Sequence, residues 1–377
     1  MNGGRDLRLS RVELTDFRSY GRFELQPGEA LTIIVGPNAS GKTNLLEAVY
    51  LTTAGSSFRR ARPEDLIRRG ARRATVRSEA SSPEGSRLEV EMTAEDGSRR
   101  YRVNGKPVRR RSELAGRLPA VAFTPDDLAL VKGPAEVRRD AIDEVGEGLA
   151  AAYGALRREY GRALRQRNAL LKDGVAGAGE LEPWTEQLSR TGSRLALHRT
   201  ALLRRISAEA ERVYGEVSGG ERLHVSYEDA YGIGARRWEA DPAAEEVEEA
   251  MRERFEIRRG DEIRRRTTLV GPHRDDVVLE VAGRDARAQA SQGQQRTVAL
   301  SWKIAELRVV RQVTGRRPVL LLDDVMSELD ERRRGALTRH VGEGLQTLVT
   351  ATTLDSFPPR LMDGARIVTM SPAGEDR

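Results

Sequence analysis

The chain has 377 residues, of which 32% are charged and only 5% aromatic, and it contains no cysteine. This composition is typical of a water-soluble protein with one large or two smaller domains, and it excludes disulfides and cysteine metal sites. Because the start has no apolar leader and no apolar run could cross a membrane, we expect a cytoplasmic protein, and the net charge of +6 favours a polyanionic partner.

The first part of the chain has the alternating pattern of antiparallel strands. The predicted strands are residues 7–14, 22–25, 74–77, 87–92 and 100–103. The pair Asn104-Gly105 directly after the last of them is a hairpin signal.

A glycine-rich loop lies between a predicted strand and a predicted helix. The strand, Leu31–Val35, is short and apolar, and apolar residues at helical spacing run from Asn44 to Leu51. The loop has the pattern G-x-x-x-x-G-K-S/T and consists of Gly36, Pro37, Asn38, Ala39, Ser40, Gly41, Lys42 and Thr43. Backbone N–H groups of such a loop, with the N-terminus of the next helix, surround phosphate oxygens. We therefore predict a nucleoside triphosphate site, in which Lys42 contacts the β- and γ-phosphates and Thr43 is a ligand of Mg²⁺.

Basic residues are concentrated in three clusters. The first cluster is Arg59, Arg60, Arg62, Arg68, Arg69, Arg72 and Arg73; the second is Arg99, Arg100, Arg102, Lys106, Arg109, Arg110 and Arg111; the third is Arg258, Arg259, Arg264, Arg265 and Arg266. Such clusters predict a nucleic-acid partner, bound mainly through its phosphates. The alternative is a solvated surface of a protein that uses arginine heavily throughout.

The middle of the chain changes to helical periodicity from about residue 135 to residue 212, with a Gly/Ala-rich break at 174–179. The further predicted elements are helices at 151–171, 184–214, 241–254 and 296–312 and strands at 267–270, 277–281 and 319–322. The last strand, Val319–Leu322, is apolar and ends in two acids, Asp323 and Asp324. In a P-loop protein, Asp323 at the strand end would hold Mg²⁺ and Asp324 would polarise an attacking water.

Two further segments resemble the ABC-type ATPase superfamily. The segment Ser291-Gln292-Gly293-Gln294 opens a predicted helix and resembles the signature loop, and Ser327–Asp330 resembles the D-loop. The resemblance implies that Ser291, Gln292, Gly293 and Gln294 bind the γ-phosphate of ATP held by a second subunit. Ser291 is accordingly a candidate catalytic residue beside Lys42, Asp323 and Asp324, although by itself it could also be an ordinary helix cap.

An ordered series of segments resembles one family within this superfamily, the RecF family of bacterial DNA replication and repair proteins. The segments are Asp16–Tyr20, Lys42–Ala48, Ser57–Arg59, Phe123–Leu128, Val131–Pro134, Arg138-Arg139, Gln166–Lys172 and Gly271–Asp276, and the similarity extends from about Leu7 to Thr353. The implied fold is an α/β ABC-type P-loop ATPase head with an inserted, mainly helical second lobe. We place the head at residues 1–128 and 267–377 and the helical lobe at 129–266.

The same resemblance implies a DNA-binding protein that dimerises around ATP and resets by slow, DNA-stimulated hydrolysis. Its implied cofactors are ATP and Mg²⁺. Its implied partners are DNA, a second copy of the chain, and RecR- and RecO-type mediator proteins. Together these would help load a recombinase at single-strand gaps during the response to DNA damage (SOS response), at the nucleoid. An SMC-like head of another family, a transporter ATPase subunit, a P-loop kinase and a nucleotide-locked scaffold are the alternatives.

The chain departs from the transporter pattern at three positions. Gln292 replaces the first signature glycine, Asp324 stands where transporters have glutamate, and no histidine lies near residues 348–352. We consider Thr350 or Thr352 as substitutes for that histidine, and Asp126 or Asp127 as neighbours of the metal. For His273, a structural and a functional role remain equally open.

Overall fold

The computed structural model describes residues 7–174, 178–341, 344–355 and 357–371. These residues form two compact units, one made of the chain up to Asp127 and from Leu300 onward, the other of Leu128–Ala299. The second unit is therefore an insertion in the first. The α/β head with an inserted, mainly helical lobe is confirmed.

The first unit contains a six-stranded antiparallel sheet with the strand order β2-β1-β4-β5-β6-β7. Its strands are β1 Arg8–Phe17, β2 Tyr20–Leu25, β4 Arg73–Ser81, β5 Arg87–Glu95, β6 Ser98–Val103 and β7 Lys106–Val108. Every second residue is buried along β4 and β5, as period-2 alternation requires of a sheet with one solvated face. Asn104 and Gly105 both have positive φ (49° and 74°), the conformation of a tight hairpin turn.

A five-stranded parallel sheet, in the order β14-β3-β13-β12-β8, completes the first unit. Its strands are β3 Leu31–Val35, β8 Ala120–Phe123, β12 Val319–Asp323, β13 Thr347–Ala351 and β14 Arg366–Thr369. All residues of β12 and β13 are buried, which is why the sequence shows continuous apolar runs there. Because the strands are parallel, their carboxyl ends lie at one edge of the sheet, where ligands bind in open α/β sheets.

The helix α1, Lys42–Ala54, packs against strands of both sheets. All of its residues except Thr43 and Asn44 are buried, so its first turn alone is left to face a ligand. The remaining helices of this unit are α2 Arg111–Ala115, α11 Val325–Glu328, α12 Glu331–Val341 and α13 Pro359–Met362, and α10 Gln292–Thr314 contains the boundary between the units.

The second unit is mainly helical and has one small antiparallel sheet in the order β11-β10-β9. Its elements are α3 Ala129–Lys132, α4 Ala135–Leu149, α5 Ala151–Asp173, α6 Ala178–Ser218, β9 Leu223–Glu228, α7 Ala235–Glu239, α8 Ala244–Arg265, β10 Asp276–Val281, β11 Arg284–Asp285 and α9 Ala286–Gln289. Buried ion pairs join distant elements: Arg167 with Glu262 (2.7 Å), and Arg199 with both carboxylate oxygens of Asp143 (2.9 and 3.0 Å). The expected Gly/Ala-rich break lies partly outside the described residues.

The structure corrects two expectations about this region. The chain returns to the first unit at Leu300 and not at residue 267, because β10 pairs with β9 inside the second unit. Residues 267–270 do not form a strand. Their backbone groups are bound by side chains instead: the N–H of Thr268 donates to Asn168 Oδ1 (2.8 Å) and that of Leu269 to Glu262 Oε1 (2.7 Å). These backbone N–H groups therefore bind side chains and not the neighbouring strand that the apolar residues had suggested.

None of the helices that the structure describes is both long and apolar enough to span a membrane.

Candidate nucleotide site

The glycine-rich loop runs from the end of β3 to the start of α1. Gly41, the residue before α1, has φ 101°, a conformation that favours glycine. A Cβ at this position would lie 2.7 Å from the hydroxyl oxygen of Tyr20. That hydroxyl donates to the carbonyl oxygen of Gly41 (2.9 Å). The loop conformation is thus set by glycine and by a contact from β2.

Lys42 is folded onto the loop that precedes it. Its Nζ donates to the carbonyl oxygens of Gly36 and Pro37, both at 2.8 Å. Burial lowers the pKa of Lys42, while the nearby carboxylates of Asp324 and Asp323 raise it. The ammonium group is therefore held against the loop by the loop's own carbonyl oxygens.

Asp323 is held between two hydroxyl groups. Its Oδ1 accepts hydrogen bonds from Thr43 Oγ1 (2.9 Å) and Thr350 Oγ1 (2.8 Å). The order of the parallel sheet explains this arrangement, since Thr350 of β13 is the direct partner of Asp323, and β13 lies between β12 and β3. Burial raises the pKa of Asp323, and the hydrogen bonds from Thr350 and Thr43 lower it. The structure thus brings the predicted residues Thr43 and Asp323 into contact.

Asp324 turns the chain out of the sheet. It has φ 51° and precedes α11, and its backbone N–H donates to Thr350 Oγ1 (2.9 Å). Its Oδ1 lies 3.1 Å from the hydroxyl of Ser327. Thr350, considered only as a substitute for the transporter histidine, therefore contacts both acids. Thr352 is exposed.

A polar network that the sequence analysis did not identify lies beside the first turn of α1. Glu47 is 0% exposed and accepts two hydrogen bonds from Arg18, both at 2.9 Å, and one from Ser57 Oγ at 2.5 Å. Arg59 Nη1 donates to Asn44 Oδ1 (2.9 Å), and its positive charge helps to lower the pKa of Asp323. A glutamate among the buried positions of an apolar helix was the available signal.

Asp127, considered as a neighbour of the metal, binds other groups. Its Oδ2 accepts from the backbone N–H of Thr124 (2.7 Å), and its Oδ1 lies 3.4 Å from Lys303 Nζ. Lys303 also contacts Glu306 (2.7 Å). This carboxylate therefore joins the end of β8 to α10 within the first unit.

The Ser291 loop belongs to the second unit. Ser291 Oγ accepts from the N–H of Gln294 (3.2 Å), and Gln294 Oε1 accepts from the N–H of Ser291 (2.8 Å). This reciprocal pair is a capping box at the start of α10. Ser291 and Gln292 are exposed, and Gly293 and Gln294 are half-buried. The serine is thus a helix cap, and it is also accessible to a ligand.

His273 has a structural environment. Its Nδ1 lies 2.6 Å from the Tyr160 hydroxyl, and its Nε2 lies 3.2 Å from the carbonyl oxygen of Thr268. Burial lowers the pKa of His273 to about 3, so the imidazole is neutral at physiological pH. Its neighbour Arg274 is exposed and donates to the same carbonyl (2.8 Å).

The fold and this site define a P-loop ATPase head of the type that carries a helical insertion. The chain matches the family model "RecF/RecN/SMC N terminal domain" over residues 8–369. It is 40% identical over 352 residues to the DNA replication and repair protein RecF of Pelotomaculum thermopropionicum. The alignment covers 92% of this chain and 94% of that protein. The chain belongs to the RecF family.

Solved structures agree with this assignment. A structure of the recombination mediator protein RecF-ATP in the RecFOR pathway superposes with a TM-score of 0.85 at 31% identity, covering 93% of this chain and 94% of that one. An Smc head domain from Pyrococcus furiosus superposes with a TM-score of 0.53 at 19% identity, covering 97% of this chain and 94% of that one, and so shares the fold.

We predict that Arg18→Ala destabilises the first unit by about 3–5 kcal/mol, because it leaves the buried carboxylate of Glu47 without its bidentate partner. Urea unfolding measures the loss. Arg22→Ala, an exposed arginine on β2, is the matched control and should cost less than about 0.5 kcal/mol. Adding Glu47→Gln to Arg18→Ala should recover part of the loss. Equal effects of the two arginine substitutions would contradict the prediction.

Proposed function

We propose that this chain is an ATP-dependent DNA-binding protein of recombinational repair and replication restart. The observation that carries the proposal is the contact of Thr43 with Asp323 at 2.9 Å, beside the loop that holds Lys42. In P-loop proteins these are the groups that bind the phosphates and the metal of a nucleoside triphosphate. Membership of the RecF family, with a relative whose structure contains ATP, makes ATP the nucleotide that we expect.

The donor set fits Mg²⁺. Thr43 and Asp323 offer one hydroxyl and one carboxylate oxygen, and Mg²⁺ is usually held by one or two protein oxygens together with substrate phosphates and waters. Held by these two residues, the ion would supply positive charge that offsets the negative charge of the phosphates. Thr350 would help to fix the orientation of the Asp323 carboxylate, because its hydroxyl donates a hydrogen bond to Oδ1 (2.8 Å).

Hydrolysis would depend on Asp324 and would be slow. Its carboxylate is the candidate for orienting an attacking water, while Lys42 and the loop N–H groups stabilise the phosphates. The aspartate is shorter than the glutamate of transporters, and it shares its Oδ1 with Ser327. Both features limit its reach toward a water. We therefore expect slow ATP hydrolysis that returns the protein to its nucleotide-free state and that DNA stimulates.

The signature segment would complete the site of a second copy. The exposed Ser291 at the N-terminus of α10, with Gln292, Gly293 and Gln294, offers a hydroxyl and backbone N–H groups to a γ-phosphate. Because ATP would then bind the dimer more tightly than the monomer, nucleotide binding drives dimerisation. This is a homodimer that ATP holds together.

The expected macromolecular partners are DNA and the mediator proteins RecR and RecO, with which the protein would help load a recombinase at single-strand gaps. Two RecF relatives with solved structures are described as parts of the RecFOR pathway, and the curated relatives are DNA replication and repair proteins. Since DNA is the proposed ligand, the protein would act in the cytoplasm at the nucleoid. Identity of 40% to RecF relatives against 19% to an Smc head favours this function over that of another SMC-like head.

We predict that Lys42→Met lowers ATP affinity about 100-fold, since two or more charge-assisted hydrogen bonds worth about 3 kcal/mol together are removed. Isothermal titration calorimetry measures the affinity, and a thermal melt checks the fold. Lys132→Met, the same substitution at an exposed lysine of α3, should bind ATP normally. Unchanged affinity in Lys42→Met would show that the site lies elsewhere.

Thr350→Val should lower the Mg²⁺-dependent hydrolysis rate about tenfold, because a hydrogen bond to a charged group is worth about 1.5 kcal/mol. It should also raise the Mg²⁺ concentration needed for half-maximal rate. Thr352→Val changes an exposed threonine two residues away and should have no effect. If both variants hydrolyse ATP like the unmodified protein, Thr350 does not orient Asp323.

Light scattering with and without ATP tests the dimer. The unmodified chain should double its mass with ATP, whereas Ser291→Arg should bind ATP and stay monomeric, because a long charged side chain blocks the contact with the γ-phosphate. Ser86→Arg, in the exposed turn between β4 and β5, should dimerise normally. A monomer in every condition would rule out the ATP-held dimer.

A further inference from the structure

A cavity of about 700 Å³ in the second unit is lined by arginines that lie far apart in the sequence. Its walls come from α4, α5, α6 and the loop before β10. Among the residues that the structure describes, no carboxylate pairs with five of these arginines: Arg139, Arg158, Arg162, Arg165 and Arg274. We call these five residues the arginine cleft.

Two other arginines pair with three of the four acidic residues that line the cavity. Arg157 contacts Asp140 at 2.8 Å and Glu147 at 3.0 Å, and Arg199 binds both oxygens of the buried Asp143. Only the exposed Glu136 of α4 has no ion pair of this kind among the described residues. The positive charge of the arginine cleft is therefore in excess of the carboxylates around it.

The geometry of the arginine cleft suits an extended anion. Arg158, Arg162 and Arg165 are exposed and lie at i, i+4 and i+7 on α5, so they form one stripe along the helix. Arg274 is exposed on the loop before β10. Arg139 is half-buried and donates to the carbonyl oxygen of Asp275 (2.5 Å). Burial and the charge of Arg199 lower the pKa of Arg139, whereas the nearby carboxylates of Asp275, Asp276 and Glu136 raise it without forming an ion pair with it.

We propose that the arginine cleft binds the phosphate groups of a nucleic-acid strand. This inference rests on the proposed DNA-binding function and identifies the surface that would bind the DNA. Guanidinium groups form bidentate hydrogen bonds with phosphates, and several converge here. The cavity is lined by two aromatic rings, Tyr160 and His273, which are hydrogen-bonded to each other, and the buried Tyr160 offers no face on which a base could stack. We therefore expect the arginine cleft to contact the phosphate backbone of the nucleic acid and not its bases.

Two of the three basic clusters that the sequence suggested are less suited to this role. In the third cluster, Arg258 and Arg264 pair with Asp261, and Arg259 pairs with Glu256. In the second cluster, Arg102 lies on an open sheet face directly opposite Glu91 in the strand register. Carboxylates thus offset much of the charge of the third cluster, and in the second cluster Arg102 faces a carboxylate across the strands.

Fluorescence anisotropy with labelled duplex, single-stranded and gapped DNA tests the proposal, with ATP present and absent. The triple variant R158Q/R162Q/R165Q removes three exposed charges of the arginine cleft. Its affinity should fall at least about tenfold, and the slope of log affinity against log salt should decrease by about 0.7–0.9 for each phosphate that the variant no longer binds. The matched control, R258Q/R259Q/R264Q, removes three charges from the same unit and should stay within about twofold. Thermal melts show whether each variant is folded.

A lysine variant separates charge from geometry. R158K/R162K/R165K keeps all three charges but has no guanidinium forks, so it should retain the salt slope while binding more weakly than the unmodified chain. Unlabelled tripolyphosphate separates a nucleic-acid site from a site for a free polyphosphate. It should displace DNA from the unmodified chain only at concentrations far above those of competing DNA.

Several outcomes would overturn the inference. These are equal losses of affinity in the cleft and control variants, a loss confined to R100Q/R102Q/R109Q of the second cluster, or tripolyphosphate binding that depends on the cleft while DNA binding does not. In each of these cases the unmodified chain still binds DNA, so the proposed function stands. If the unmodified chain binds no DNA at low salt, the proposed function itself fails, and this inference with it.

Discussion

The candidate site depends on one buried carboxylate, Asp323, and on the two threonine hydroxyls that bind it. A carboxylate removed from water is costly unless hydrogen bonds compensate it, and here one bond comes from α1 and the other from β13. The contact therefore joins three elements that are separate in the chain. Because α1 is buried against both sheets of its unit, the hydroxyl of Thr43 is held in place before any ligand arrives. Such preorganisation is what metal and phosphate binding require.

Thr350 also connects the two acids to each other. Its hydroxyl donates to Asp323 and accepts the backbone N–H of Asp324, and Asp324 in turn contacts Ser327 at the start of the D-loop-like segment. If the proposed Mg²⁺ binds Asp323, a shift of that carboxylate would reach the backbone of Asp324 through the shared hydroxyl. A ligand can move such an equilibrium only by binding one arrangement more tightly than the other. In the proposed dimer, the differential contact would be the γ-phosphate bound by Ser291 of a second copy.

Local sequence patterns predicted much of the fold and of the candidate nucleotide site. The features that they did not predict depend on contacts between residues far apart in the chain. The loop Gly36–Thr43 and the strand Val319–Leu322 could be identified because each is a short, contiguous pattern with its own physical reason. The role of Thr350 could not be derived, since it depends on β13 lying between β12 and β3 in the sheet order. The pairing of Arg18 with Glu47 depends in the same way on the turn between β1 and β2 meeting α1 in the fold. The strand expected at 267–270 was wrong because side chains from α5 and α8 bind that backbone.

The distribution of charge shows why a count of arginines along the sequence is a poor guide to a binding surface. The third cluster is dense in sequence, yet carboxylates on α8 and elsewhere neutralise much of it, and exposed pairs of this kind contribute little beyond cancelling charge. The arginine cleft is dispersed over more than a hundred residues of sequence, and only the folded second unit brings its members on α4, α5 and the loop before β10 together. Screening limits the reach of any surface charge to about 8 Å at physiological salt, so a phosphate responds to neighbouring unpaired guanidinium groups and hardly to the net charge of the chain. The pairing state of each arginine, which only the folded structure provides, therefore decides where a polyanion binds.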